Sequence, residues 1–137
     1  MPGDTPQYEH PLEHGELIVA VELPELPVAR TSLYIKIRDR ESYEFALASV
    51  AAALRVEDGT VTEVRLALGG VATKPWRARR AEEALLGAPA ETASFERAAR
   101  AELEAAVPRR FNAYKVELAR RSIVRALRQA TELGGAA

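Results

Sequence analysis

At 137 residues with a formal net charge of -1, the chain is sized for a single domain and lacks the basic excess of a nucleic-acid surface. It contains no cysteine, which excludes disulfides, thiolate metal sites, cysteine-ligated iron–sulfur clusters and cysteine nucleophiles within it. No run approaches the roughly 20 apolar residues of a membrane helix, and the polar start lacks the apolar stretch of a signal peptide. The expected location is therefore cytoplasmic, or periplasmic if a partner subunit carries an export signal.

Residues 1–15 hold three prolines and two glycines without a sustained period, and read as an extended arm leading into a domain over residues 16–137. Glu16 to Leu23 (ELIVAVEL) is a β-rich apolar run ended by Pro24 and Pro27, and predicts a first strand. From Ser32 to Arg38 the chain alternates. Leu33, Ile35 and Ile37 take one face, and Tyr34, Lys36 and Arg38 the other. Phe45 to Val56 and Thr60 to Leu68 flank Asp58-Gly59, which predicts an antiparallel hairpin. The alanines of the first arm weaken its strand propensity, but the turn favours a strand.

Past Gly69 and Gly70 the pattern turns helical. Pro75 suits a first helical position, and Gly87 suits a C-terminal cap. A second helix is predicted from Thr92 to Val107, ended by Pro108. A third starts after Asn112, a good N-cap residue, and runs to about Leu133. Its stripe of Val116, Ala119, Ile123, Ala126, Leu127 and Ala130 lies opposite Glu117, Arg120, Arg121, Arg125 and Arg128. Tyr114 and Leu118 fall outside that stripe. Strands followed by helices predict an α+β domain, an antiparallel sheet of about four strands with about three helices on one face.

Motifs for chemistry are sparse. His10 and His14 have a helical ligand spacing, but Pro11 between them argues against a helix, and they read as loop histidines. No serine sits in a nucleophile elbow, and Gly69-Gly70 lacks the spaced glycines of a phosphate loop, so the pair reads as conformational. Lys74, Arg77, Arg79 and Arg80 precede Glu82 and Glu83, and pairing of Glu83 with Arg79 and Arg80 would neutralise part of that cluster. Trp76 beside it would suit an interface. Residues 109–133 carry seven cations against two anions, a local basic surface without the stacking aromatics of a nucleic-acid site.

Several segments occur in the order found in one family. They are Pro2-Gly3-Asp4-Thr5-Pro6 with Leu12 and Gly15-Glu16-Leu17-Ile18, then Lys36-Ile37-Arg38-Asp39-Arg40-Glu41-Ser42-Tyr43-Glu44-Phe45-Ala46. Leu68-Gly69-Gly70-Val71-Ala72 and Pro75-Trp76-Arg77-Ala78 follow, and Asn112-Ala113-Tyr114-Lys115-Val116-Glu117-Leu118-Ala119-Arg120-Arg121 closes the series. Together they resemble the C-terminal domain of the FAD-binding subunit of molybdenum hydroxylases, most closely the aldehyde oxidoreductase branch. The resemblance implies a domain that packs beside an N-terminal flavin-binding portion, whose glycine-rich phosphate loops have no match here. It implies partner subunits carrying the molybdenum cofactor and iron–sulfur clusters, with FAD in the full-length subunit.

By the same resemblance, Lys36 matches a lysine that approaches the flavin, Ile18 an apolar residue flanking it, and Arg38 to Glu41 a charged loop near the ring. The strand pattern independently frees Lys36 from this domain's core, although a plain surface lysine has the same signature. On this reading the chain alone binds no cofactor or metal, has no catalytic residue, and can self-associate into a homo-oligomer through the uncovered face. The alternative is a stand-alone interaction or assembly module that has the fold without the flavin role.

Overall fold

The computed structural model describes residues 7–8 and 10–135. The Pro2 to Pro6 segment of the arm lies outside the described residues. The first strand is β1 (Ser32–Ile37), followed by β2 (Ala48–Glu57), β3 (Thr60–Gly69) and a two-residue β4 (Trp76–Arg77). They form one antiparallel sheet in the order β1-β2-β3-β4. Helices α1 (Arg79–Leu85), α2 (Thr92–Leu103) and α3 (Tyr114–Gly135) follow. Among the described residues the α+β class and the count of four strands and three helices agree with the sequence reading, but the strands are not the same four.

The hairpin forms where Asp58-Gly59 places it, with φ of +50° and +73° at the two central residues. Both values suit a turn whose twist matches that of the strands it joins. Facing inward from β2 and β3 are Val50, Ala52, Leu54, Val64, Leu66 and Leu68, all 2% exposed or less. The predicted stripe of α3 packs on them, with Ala119, Ile123, Ala126, Leu127 and Ala130 buried. Its alanines let the helix backbone approach the equally alanine-rich β2, so the weak strand propensity of β2 is offset by close packing. Phe95 of α2 closes the core, 1% exposed.

Four expectations are corrected. Glu16 to Leu23 is extended but pairs with no strand among the described residues, leaving Leu17 and Val19 81% and 88% exposed. β-propensity fixes an extended backbone, whereas a strand also needs an edge to bond to. The fourth strand is β4, where Trp76 and Arg77 pair with Leu68 and Ala67, so α1 starts at Arg79 and not near Pro75. Tertiary bonds override the proline signal there. The Trp76 indole N–H donates to the buried Glu102 carboxylate at 2.6 Å, and the other Glu102 oxygen accepts the Ala81 N–H at 3.0 Å.

α2 stops at Leu103, before Pro108 could end it. Asn112 does not cap α3 with its side chain. Its Oδ1 accepts the Arg109 N–H at 2.6 Å and ties the preceding turn instead.

Gly70 shows why glycine ends β3. Its φ is +71°, and a Cβ there would lie 2.8 Å from the Ala46 carbonyl oxygen. Both the dihedral and the space exclude a side chain, which supports the conformational reading of the pair.

Candidate functional site

Helices cover one face of the sheet; the other is open among the described residues. Antiparallel partners lie side by side on one face, so the register reads out the open surface row by row. One row runs Tyr34, Ala51, Ala67, Arg77; its neighbours are Lys36, Ser49, Gly69 and Ser32, Ala53, Arg65. Small residues, Ala51, Ala67, Ser49, Gly69 and Ala53, run through the rows, with Tyr34 and Lys36 on the β1 side and Arg77 and Arg65 on the other. The surface is thus a shallow trough with a flat floor. A groove of about 400 Å³ lies over it, lined in part by Tyr34, Ala51, Ala67, Arg65 and Arg77 and closed at one end by Leu26.

Gly69 and Ser49 keep the floor low. A Cβ on Gly69 would meet the Ser49 hydroxyl at 2.5 Å. The walls differ in how they are held. Arg77 donates from Nε and Nη2 to both carboxylate oxygens of Glu82, and Glu82 Oε1 also accepts the Leu66 N–H at 2.7 Å. Arg65 donates to the Val64 carbonyl at 2.9 Å and lies 3.5 Å from Glu63, which also faces Arg55. These arginines are clamped. Tyr34 and Lys36, on edge strand β1, are exposed.

The loop after β1 extends this wall. Glu44 Oε2 accepts the N–H groups of Asp39 and Arg40 at 2.9 and 3.0 Å, and the Arg40 guanidinium donates to the Tyr43 carbonyl. Thus braced, with Tyr43 at φ +55°, the loop turns both Tyr43 and Phe45 out to 95% exposure. The sequence reading placed Phe45 at the start of β2 and missed this pair. The available signal was the β-breaking Asp39 to Ser42 stretch, which leaves the next few side chains outside the ladder.

Of the predicted cofactor contacts, Lys36 stands on the open face as the alternation required. Ile18 stands elsewhere, on the unpaired extended segment and 63% exposed. Of the other candidates, Arg77 lines the trough. Trp76 is half-buried and its indole N–H is tied to Glu102. Arg77 pairs with Glu82, and Arg79 and Arg80 are exposed.

Among the described residues no group of three or more His, Asp or Glu could hold a metal, and no helix is long and apolar enough to cross a membrane. The basic side of α3 is a paired surface at its start. Hydrogen bonds from Arg120 and then Arg121 hold the Glu117 carboxyl down at about 2, against an ordinary 4.5, and the same carboxylate pushes Arg120 up.

The trough has the chemistry to accept one edge of a planar or negatively charged group, with an aromatic ring and an ammonium on its β1 wall and alanines beneath. No glycine-rich phosphate cradle occurs among the described residues. Such a surface completes a site and does not enclose one.

The chain belongs to the CO dehydrogenase flavoprotein C-terminal domain family, whose model matches residues 33–130. It is 44% identical over 130 residues to the aldehyde oxidoreductase FAD-binding subunit PaoB of Escherichia coli K12, covering 94% of this chain and 37% of that protein. It is 38% identical over 73 residues to the glyceraldehyde dehydrogenase medium chain of Sulfolobus acidocaldarius, covering 53% and 25% respectively. The chain therefore spans about a third of the length of these relatives or less.

Among solved structures, a carbon monoxide dehydrogenase from Hydrogenophaga pseudoflava superposes with a TM-score of 0.68 at 32% identity, over 74% of this chain and 37% of that one. Quinoline 2-oxidoreductase from Pseudomonas putida 86 superposes with a TM-score of 0.69 at 24% identity, over 76% and 38%, and shares the fold.

Proposed function

We propose that this chain acts as the C-terminal domain of the FAD-binding subunit of a molybdenum-containing hydroxylase, packing beside the flavin-holding portion and contributing Lys36 to the flavin's surroundings. Subunits carrying the molybdenum cofactor and the iron–sulfur clusters complete the assembly. The observation that carries this reading is the trough. Its sheet face is floored with Ala51, Ala67, Ser49 and Gly69 where a self-sufficient domain would carry larger polar side chains, so another body can approach the backbone closely.

FAD, when bound by the whole subunit, would accept electrons there. This chain's part is to orient and to polarise. The Lys36 ammonium, held off its own core by the strand alternation, favours negative charge on a neighbouring group in a site closed to water. Tyr34 beside it supplies a flat apolar wall. The trough fits one edge of such a ring and none of its phosphates, so the chain alone is not catalytic and binds flavin poorly.

The test is a chimera in which this chain replaces the corresponding third of the E. coli relative. A yellow subunit with stoichiometric flavin is expected, and Lys36→Met should lower the flavin's reduction potential without lowering flavin content. A chimera that folds but carries no flavin would sink the reading in favour of an interaction module. An unchanged potential in Lys36→Met would remove Lys36 from the site.

A further inference from the structure

We infer that two copies of this chain associate by exchanging the extended segment Glu16 to Leu23, each copy's segment adding as a fifth strand to the open edge of the other's β1. The inference does not depend on the flavin assignment. Edge strand β1 is bonded on one side by β2, and no strand among the described residues pairs with its other side. An unpaired edge of this kind is a template for strand addition. The segment is the complementary piece, already extended, rich in β-branched residues and unpaired over its whole length.

The period-2 patterns of the two pieces match. On β1, Leu33 and Ile35 face the helices but stay half-buried at the margin of the core, while Tyr34 and Lys36 face the open side. On the segment, Leu17, Val19 and Val21 share one side, and Glu16, Ile18 and Ala20 the other. An antiparallel register with Glu16 opposite Lys36 sets Ile18 beside Tyr34, and on the other side Leu17 beside Ile35 and Val19 beside Leu33. The apolar side of the added strand then roofs the exposed margin of the core. The polar side places a carboxylate against an ammonium and a β-branched residue against an aromatic ring, both favourable cross-strand pairs.

A one-residue slip would set Glu16 into the core margin and Leu17 into solvent, so the register is specified. The 3-10 turn Pro27–Thr31 stands between the segment and β1, with Val28 buried, and the segment does not pair with its own edge. Exchange with a second copy needs no change in that turn. The resulting contact is two-fold symmetric and closed, each pair occurring twice.

The experiment measures the mass of the full chain in solution by sedimentation across micromolar concentrations. Twice the 15.0 kDa chain mass is expected. Ile18→Pro with Ala20→Pro removes two backbone donors that face β1 in this register, from a segment that is exposed in the single chain, so it should give a monomer with an unchanged circular dichroism spectrum. Lys36→Glu should raise the dimer Kd about tenfold, since two ion pairs become two repulsions, and adding Glu16→Lys should restore it.

A monomeric wild-type chain would overturn the proposal and leave the segment to a neighbouring domain. A dimer that survives both prolines would overturn it equally. Neither result depends on flavin binding by the chimera.

Discussion

The two faces of this sheet are made by the same strands and obey opposite rules. On the helix side, β2 and β3 present Val50, Leu54, Leu66 and Leu68, and the buried residues of α1, α2 and α3 join them in one core. On the open side the same strands present Ala51, Ala67, Ser49 and Gly69, between Tyr34 and Lys36 of β1 and Arg77 of β4. Hydrophobic burial explains the first face completely. It does not explain the second, because small residues on an exposed strand sacrifice β-propensity for no gain within this domain. A face that is locally unfavourable and sterically flat is one shaped for a neighbour. The helix side therefore carries stability and the open side carries association, and each can be broken separately.

The largest effects belong on the helix side. Phe95→Ala should cost about 3–5 kcal/mol, because it empties a site that is 1% exposed between α2 and the sheet. Urea unfolding of the purified chain measures it. Glu102→Ala should follow at about 2–3 kcal/mol by leaving the Trp76 indole N–H and the Ala81 N–H without their acceptor. Glu102→Gln retains one acceptor oxygen and should recover roughly half of that loss. Equal destabilisation by both variants would mean that the one oxygen Gln retains contributes nothing, and that the charged carboxylate with both acceptors in place ties β4 to α2.

The glycines divide the same way. Gly70→Ala should cost about 2–3 kcal/mol, since it meets both an unfavourable φ and the Ala46 carbonyl oxygen. Gly59→Ala, at a similar φ with nothing within 4 Å, should cost about 1 kcal/mol. The difference isolates the steric part. On the open side, Tyr34→Ser and Lys36→Met should change stability by no more than about 0.5 kcal/mol. A loss above about 1 kcal/mol from either would make that face part of this domain's own core margin and dissolve the comparison.

What the sequence revealed follows the same division. The hairpin at Asp58-Gly59, the apolar stripe of α3 and the outward Lys36 rest on local pattern, and all three appear where that pattern puts them. β4 was hidden because two residues carry no period; its pairing is set by Leu68 and by Glu102, 26 residues further along than Trp76. Glu16 to Leu23 was legible as extended and not as unpaired, since a partner strand is not a property of the segment itself. Phe45 was read as strand entry because the bracing of its loop by Glu44 depends on a side-chain turn that no alternation reveals. The trough emerged only from register, which sets Ala51 beside Ala67 and Ser49 beside Gly69.

The smallest expected effect lies on a third surface, the solvent side of α3, and tests whether its charges belong to stability at all. Glu117 accepts hydrogen bonds from Arg120 at 2.8 Å and from Arg121 at 2.7 Å, and its carboxyl is held at about 2. A folded-state value below the unfolded one means that the contribution is present above the ordinary carboxylate range, and is lost as pH falls from about 4.5 through about 2. These side chains are exposed, so salt should shrink the effect. Carbon-detected titration of the Glu117 carboxyl should give a midpoint near 2 at low salt, rising toward 4.5 in Arg120→Ala and less far in Arg121→Ala. An unshifted midpoint in the wild-type chain would make the cluster a solvated face. It would leave the helix side of the sheet as the seat of stability and the trough as the surface built for a partner.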